Sequence, residues 1–203
     1  YRRQRQMCIR DRYTIAFFGQ TGFGKSSLIN ALFGTNFNTD PLVSCTKELY
    51  SVTTVDRDGR LLTVYDTPGI GEFSTNSAYQ AYYDYAVSQA DCIVLVVSMD
   101  RTDATAQELL EGLKQYLKNA SVKFVIALNR IDSSGVGGAG NDYVSWNNDT
   151  NEPTDEARDR IKRRRKTIEN NFEDVLLPFT IVPVCAIRNY GLDKLYKELT
   201  EHE

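Results

Sequence analysis

Across 203 residues the chain has room for one α/β domain with a full core and is short for two. A hydrophobic content of 41% with 25% charged residues is that of an ordinary soluble globular protein, and a net charge of −3 gives no global reason to expect nucleic acid or an anionic membrane surface as partner. Four cysteines without paired spacing (Cys8, Cys45, Cys92 and Cys185) argue against a disulfide framework or a zinc site and for a reducing, cytoplasmic setting, and no apolar run approaches the ~18 residues that span a bilayer.

Residues 1–12, YRRQRQMCIRDR, are polar and basic without periodicity. They read as a disordered tail or an expression artefact, with a basic binding arm as the alternative, and the fold argument starts after them. No apolar segment follows these charges, so a secretory signal is not expected. Tyr13 to Phe18 is β-rich and stops at Gly19; residues 25–33 then carry Leu28, Ile29, Leu32 and Phe33 at helical spacing. ELYSVTTVD and RLLTVYD flank the turn signal DRDG at 56–59 and predict a hairpin. Segment 78–89 reads as a helix, 91–98 as a buried strand, 104–119 as an amphipathic helix and 122–128 as another buried strand. Residues 133–153 form a glycine- and asparagine-rich loop insert, too long for a plain connector. A helix opening at Thr154 or Asp155 puts Ile161, Ile168 and Phe172 on one face, and a last strand (179–184) and helix (191–201) close the pattern. Strands alternating with helices predict a three-layer α/β domain over 13–203, with a six-stranded, mostly parallel sheet and one antiparallel edge strand.

Gly19 to Ser26, GQTGFGKS, matches GxxxxGK(S/T) after a strand and before a helix. Glycines there let backbone N–H groups turn inward around phosphate oxygens, and the helix start adds a favourable dipole. Lys25 would bridge β- and γ-phosphates, and the Ser26 hydroxyl would hold Mg²⁺. Asp66-Thr67-Pro68-Gly69 ends the second hairpin strand: the carboxylate can organise the cation and the Gly69 N–H can reach a γ-phosphate. Asn129-Arg130-Ile131-Asp132 follows a buried strand. There a carboxylate can accept from guanine N1–H and the 2-amino group, a donor pattern adenine lacks, while Asn129 ties the site together. An ordinary Asn/Asp loop is the alternative. Cys185-Ala186-Ile187 would supply a backbone N–H to guanine O6.

With these segments in this order, the chain resembles a translation-factor-related P-loop GTPase of the Era-like branch. GxTGxGKSSLINALFG, DTPG, NRxD and CAI carry the resemblance, which runs from about Tyr13 to Glu201. GQTGFGKSS also resembles the immunity-related GTPases; SCTKE, DTPGIGE and a Trp-containing insert bring the chain nearest to small bacterial, often prophage-associated, Era-like G proteins. The resemblance implies a GTP- and GDP-binding, Mg²⁺-dependent switch. Phosphates would be held by Gly22, Phe23, Gly24, Lys25, Ser26 and Ser27, and the base by Asn129, Arg130, Asp132, Cys185, Ala186 and Ile187. Ser26, Thr46 and Asp66 would organise the metal, and Lys25, Thr46 and Gly69 would serve the reaction. Ser44 and Thr53 compete with Thr46 for the threonine that closes on the γ-phosphate.

Departures from the family pattern set further expectations. Arg130 stands where lysine is usual, and its plane can stack over the base. Ile70 occupies the place of a water-orienting glutamine, so unaided hydrolysis should be slow. Gly22 replaces the asparagine of potassium-activated relatives, so potassium stimulation is not expected. The run Lys162–Lys166 reads as a solvated helix face rather than an RNA or membrane site, and Trp146 as a loop anchor. Tyr79, Tyr82, Tyr83 and Tyr85 serve the core or an effector or dimer surface. The partners implied are a guanine nucleotide, an effector protein or else the ribosome or an RNA, and a second copy in a nucleotide-dependent dimer. A non-catalytic nucleotide-gated module and a nucleotide-driven assembly factor are the rival functions.

Overall fold

Apolar runs of four to six residues set the centre of the fold, as the computed structural model shows. It describes residues 12–37, 49–69, 77–100, 122–135, 145–173 and 178–201. β1 (Arg12–Phe18), β4 (Cys92–Ser98) and β5 (Lys123–Asn129) are buried over nearly their whole length. Strands covered on both faces read as continuous apolar runs, because no residue points to solvent. β2 (Tyr50–Val55) instead alternates exposed and half-buried residues, the signature of an edge strand with one wet face. It pairs antiparallel with β3 (Leu61–Asp66) through the turn at Asp56–Gly59.

The sheet runs β2-β3-β1-β4-β5-β8, with β8 at Phe179–Pro183. Every pair except β2–β3 is parallel. This is the expected mixed sheet with one antiparallel edge strand. β1 begins at Arg12, which pairs with Leu61, so the sheet takes in the last residue assigned above to the tail. Helices pack on it: α1 (Lys25–Phe33), α2 (Ser77–Gln89), α3 (Asp155–Asn171) and α4 (Leu192–Thr200). α3 opens where the sequence places it, with the Thr154 hydroxyl accepting from Ala157 N–H at 3.3 Å. Its far end carries Phe172 into an aromatic cluster with Phe124 of β5 and Phe179 of β8.

Part of the 133–153 insert is not loop. β6 (Trp146–Asn147) and β7 (Glu152–Pro153) form a small antiparallel hairpin, which two-residue strands cannot announce by periodicity. The expected helix at 104–119 lies outside the described residues, as do residues 1–11 and 133–153 between 136 and 144. Among the described residues Cys92 and Cys185 are free and buried, and no helix is long and apolar enough to cross a membrane.

Candidate functional site

Sheet register brings the sequence motifs to one end. Phe17 pairs with Asp66 across β1–β3, and Ser98 with Asn129 across β4–β5, so the turns after β1, β3 and β5 leave the same C-terminal edge. In parallel α/β sheets that edge is where ligands sit. The first turn is shaped by Gly22 and Gly24, at φ of 80° and 83°, conformations that side chains with a Cβ rarely adopt. Gly24 also leaves room for a neighbour: a Cβ there would stand 2.6 Å from Asn129 Nδ2. Phe23 is buried beneath the turn.

Lys25 opens α1 and is 6% exposed, with its ammonium folded back on the turn. Nζ donates to the carbonyls of Gly19 at 3.1 Å and Gln20 at 3.4 Å. Next to it the Ser26 hydroxyl donates to Asp66 Oδ2 at 2.5 Å, across the gap between α1 and the end of β3. A hydroxyl and a carboxylate side by side are hard oxygen donors. They fit Mg²⁺, which takes one or two protein carboxylates and fills its octahedron from water and substrate phosphates. Among the described residues there is no cluster of three or more His, Cys, Asp or Glu side chains that could hold a metal ion by itself.

The segment after Asp66 is fastened from beneath. Thr67 donates from its hydroxyl to the Phe17 carbonyl at 2.8 Å, and the Tyr83 hydroxyl to the Pro68 carbonyl at 2.7 Å. Tyr83 is fully buried, so of the α2 tyrosines it belongs to the core, while Tyr85 is exposed and meets Tyr65 edge-on. Gly69 abuts the first turn: a Cβ on it would lie 2.0 Å from Thr21 Oγ1 and 2.5 Å from Thr21 N. The motif at 19–26 and the motif at 66–69 are therefore in van der Waals contact.

Asn129 joins the third motif to the first. It is 2% exposed; Nδ2 donates to the Phe23 carbonyl at 3.1 Å and Oδ1 accepts from Ala186 N–H at 3.3 Å. The Ala186 N–H expected to face a base thus has a protein acceptor. Arg130, at φ 59°, pairs with Asp100 at 3.2 Å. Asp132 Oδ2 lies 3.5 Å from Arg188 Nε, and the Ser145 hydroxyl donates to its backbone carbonyl. Burial, and then the neighbouring Asp132, push the Cys185 thiol up to about 11, so it stays protonated near neutral pH. Ile187 is 80% exposed and Ser27 half-buried in α1.

Sequence reasoning missed Arg188 and Asn151. Trp146 is the anchor it expected: 3% exposed, with Nε1 donating to Asn151 Oδ1 and its ring edge-on to Tyr190. Thr46, Ser44 and Ile70 lie outside the described residues. Thr53, the other candidate for the closing threonine, sits mid-strand opposite Thr63, three pairs along the ladder from Asp66.

A model of the family described as 50S ribosome-binding GTPase matches residues 14–130, more than half of the chain. Translation initiation factor IF-2 of Sphingopyxis alaskensis is 25% identical over 181 residues, 89% of this chain but 18% of that protein. The chain therefore spans under a fifth of that curated relative. Among solved structures, Era in complex with MgGDPNP and a 16S ribosomal RNA segment is similar with a TM-score of 0.66 at 20% identity, over 95% of this chain and 58% of that one. The G domain of the T. maritima FeoB iron transporter gives 0.58 at 18% identity, over 93% and 96%. At such identities the structures speak for the fold, which is that of P-loop GTPases. The family match covers the glycine turn, the Asp66–Gly69 segment and Asn129, which the sheet gathers at one edge, and by it the chain belongs to the 50S ribosome-binding GTPase family.

Proposed function

We propose that the chain is an Era-like G domain, spanning 13–203, that binds GTP with Mg²⁺ and hydrolyses it slowly to GDP as a cytoplasmic molecular switch. The observation that carries this reading is the double bridge of Asn129, which couples the phosphate turn at Phe23 to the segment at Ala186. A side chain that ties a phosphate cradle to a second loop suits a ligand with a polyphosphate at one end and a base at the other.

Gly22, Phe23, Gly24 and Ser27 shape the phosphate turn and the start of α1, and Lys25 trades its two carbonyl partners for phosphate oxygens. Ser26 and Asp66, with Thr46, would hold Mg²⁺, which when bound would neutralise charge on the phosphates. Gly69 presents its N–H toward the γ-phosphate from a segment pinned by Thr67 and Tyr83. Asp132 reads guanine beside Asn129, with Arg130, Cys185, Ala186 and Ile187 lining the base. Ile70 supplies no polar atom to orient water, which is why turnover is slow without a partner. That partner is an effector protein or ribosomal RNA, a reading favoured by the family description and by the similarity to a translation factor.

Replacing Asp132 by Asn tests the base assignment. Asparagine offers one acceptor and one donor, leaving two N–H groups facing each other at the 2-amino position of guanine, whereas xanthine has a carbonyl there. GTP affinity should fall about a hundredfold and XTP affinity should rise, measured by competition of GTP, XTP and ATP against radiolabelled GDP. Unchanged GTP binding would remove Asp132 as the base reader. Multiple-turnover phosphate release by the parent, absent in Lys25→Ala, separates an enzyme from a nucleotide-gated binding module.

A further inference from the structure

The guanidinium of Arg188 links the base segment to the β6–β7 hairpin. Nε lies 3.5 Å from Asp132 Oδ2, and Nη1 donates to Asn148 Oδ1 at 2.9 Å. Its Cζ lies over the Trp146 ring, 5.0 Å from the centroid, within the range of a cation–π contact. The Arg188 carbonyl accepts from Asn151 Nδ2 at 3.1 Å, and the same Asn151 accepts from the Trp146 indole at 3.2 Å. The hairpin of β6 and β7 therefore grips Arg188 by side chain and main chain. Ser145, just before it, donates to the Asp132 carbonyl.

We infer that Arg188, braced by this hairpin, is a positioning residue for the Asp132 carboxylate and sets the preference for a base bearing a 2-amino group. The inference rests on Asp132 being the base reader. To accept from N1–H and the 2-amino group at once, both carboxylate oxygens must lie in the plane of the base. A carboxylate free to rotate loses that freedom on binding; one tethered through Oδ2 has lost much of it beforehand. Oδ2 has lone-pair capacity for Arg188 and a base together. Arginine suits the task because its planar guanidinium presents Nε and Nη1 to Asp132 and Asn148 in fixed, divergent directions, whereas a lysine offers one freely rotating ammonium. Arg188 and Asp132 side chains are 32% and 13% exposed, so solvent screens the pair and its value lies in orientation more than in charge.

Inosine diphosphate, which keeps N1–H and O6 but lacks the 2-amino group, isolates this contribution. Calorimetric affinities for GDP and inosine diphosphate are compared in the parent, Arg188→Ala, Arg188→Lys and Asn148→Ala. Arg188→Ala should weaken GDP about tenfold and inosine diphosphate less than about threefold, so that their ratio shrinks. Arg188→Lys should recover part of the ratio. Asn148 is exposed, and Asn148→Ala should fold normally and shift the ratio in the same direction, which decides the matter if Arg188→Ala is unfolded. A parental ratio in Asn148→Ala and in the folded Arg188 variants, even with both affinities reduced equally, would make Arg188 a mere staple of the hairpin. Asp132→Ala guards the premise: if it binds GDP as the parent does, the base reading fails; if it loses GDP while the ratio survives at Arg188, only the positioning role fails.

Discussion

Gly69 sits so close to Thr21 that even a methyl group has no place between them. The added carbon would lie 2.5 Å from the Thr21 backbone nitrogen as well as 2.0 Å from its hydroxyl, so a rotamer change alone cannot relieve it. One of the two segments must move, and Thr67 and Tyr83 hold the Gly69 side in place. Gly69→Ala should therefore leave GDP affinity within about threefold while weakening a non-hydrolysable GTP analogue by ten- to a hundredfold, the worth of one hydrogen bond to a charged group. Calorimetry with both ligands measures it, and equal losses for the two would show that Gly69 does not distinguish the third phosphate.

The β2–β3 hairpin shows an element held by a single buried carboxylate. Asp56 Oδ1 accepts from the N–H groups of Asp58 at 2.9 Å and Arg60 at 2.7 Å, while Oδ2 accepts from Arg60 Nε at 2.8 Å. Burial on its own would raise the Asp56 pKa; the backbone N–H groups and the Arg60 charge outweigh it and hold the carboxyl below its ordinary value of 3.8. A lowered carboxylate pKa gives stability that is fully present above the unfolded value and lost as pH falls through the folded one. Denaturant melts of the parent should thus show stability falling from about pH 4 downward, with that part of the slope missing in Asp56→Asn. At neutral pH the variant should be less stable by about 1–3 kcal/mol. Identical acid slopes in the two proteins would mean that other carboxylates govern acid unfolding.

Over the whole molecule, the sequence makes some features plain and hides others for physical reasons. The glycine turn, Asp66–Gly69 and Asn129 are readable because each follows an apolar strand, and strands of one parallel sheet end on the same edge. The strand order is not readable, since any crossover that covers the sheet satisfies the same pattern. Nor is the β6–β7 hairpin, whose anchoring comes from side chains far apart in sequence: Asp132, Trp146, Asn151 and Arg188. Tyr83 and Tyr85 look alike in the sequence, yet only the first is turned inward. A ligand that bridges several such segments should stabilise the fold as a unit. GDP at a hundred times its dissociation constant should add about 2.7 kcal/mol, raising Tm by roughly 5–10 °C, while equimolar ATP shifts it by less than about 1 °C. Equal shifts from ATP and GDP in a thermal scan would overturn the guanine preference.

Trp146 gives the molecule an optical consequence. It is the sole tryptophan among 203 residues, nearly sealed from water and capped by the Arg188 guanidinium. Indole emission is blue-shifted in a dry setting and quenched or spectrally shifted by a nearby charge. Because that charge belongs to the residue beside Asp132, its displacement on ligand arrival would alter the emission of one known chromophore. The chain thus carries its own dye, without any label, within two side chains of its candidate base pocket.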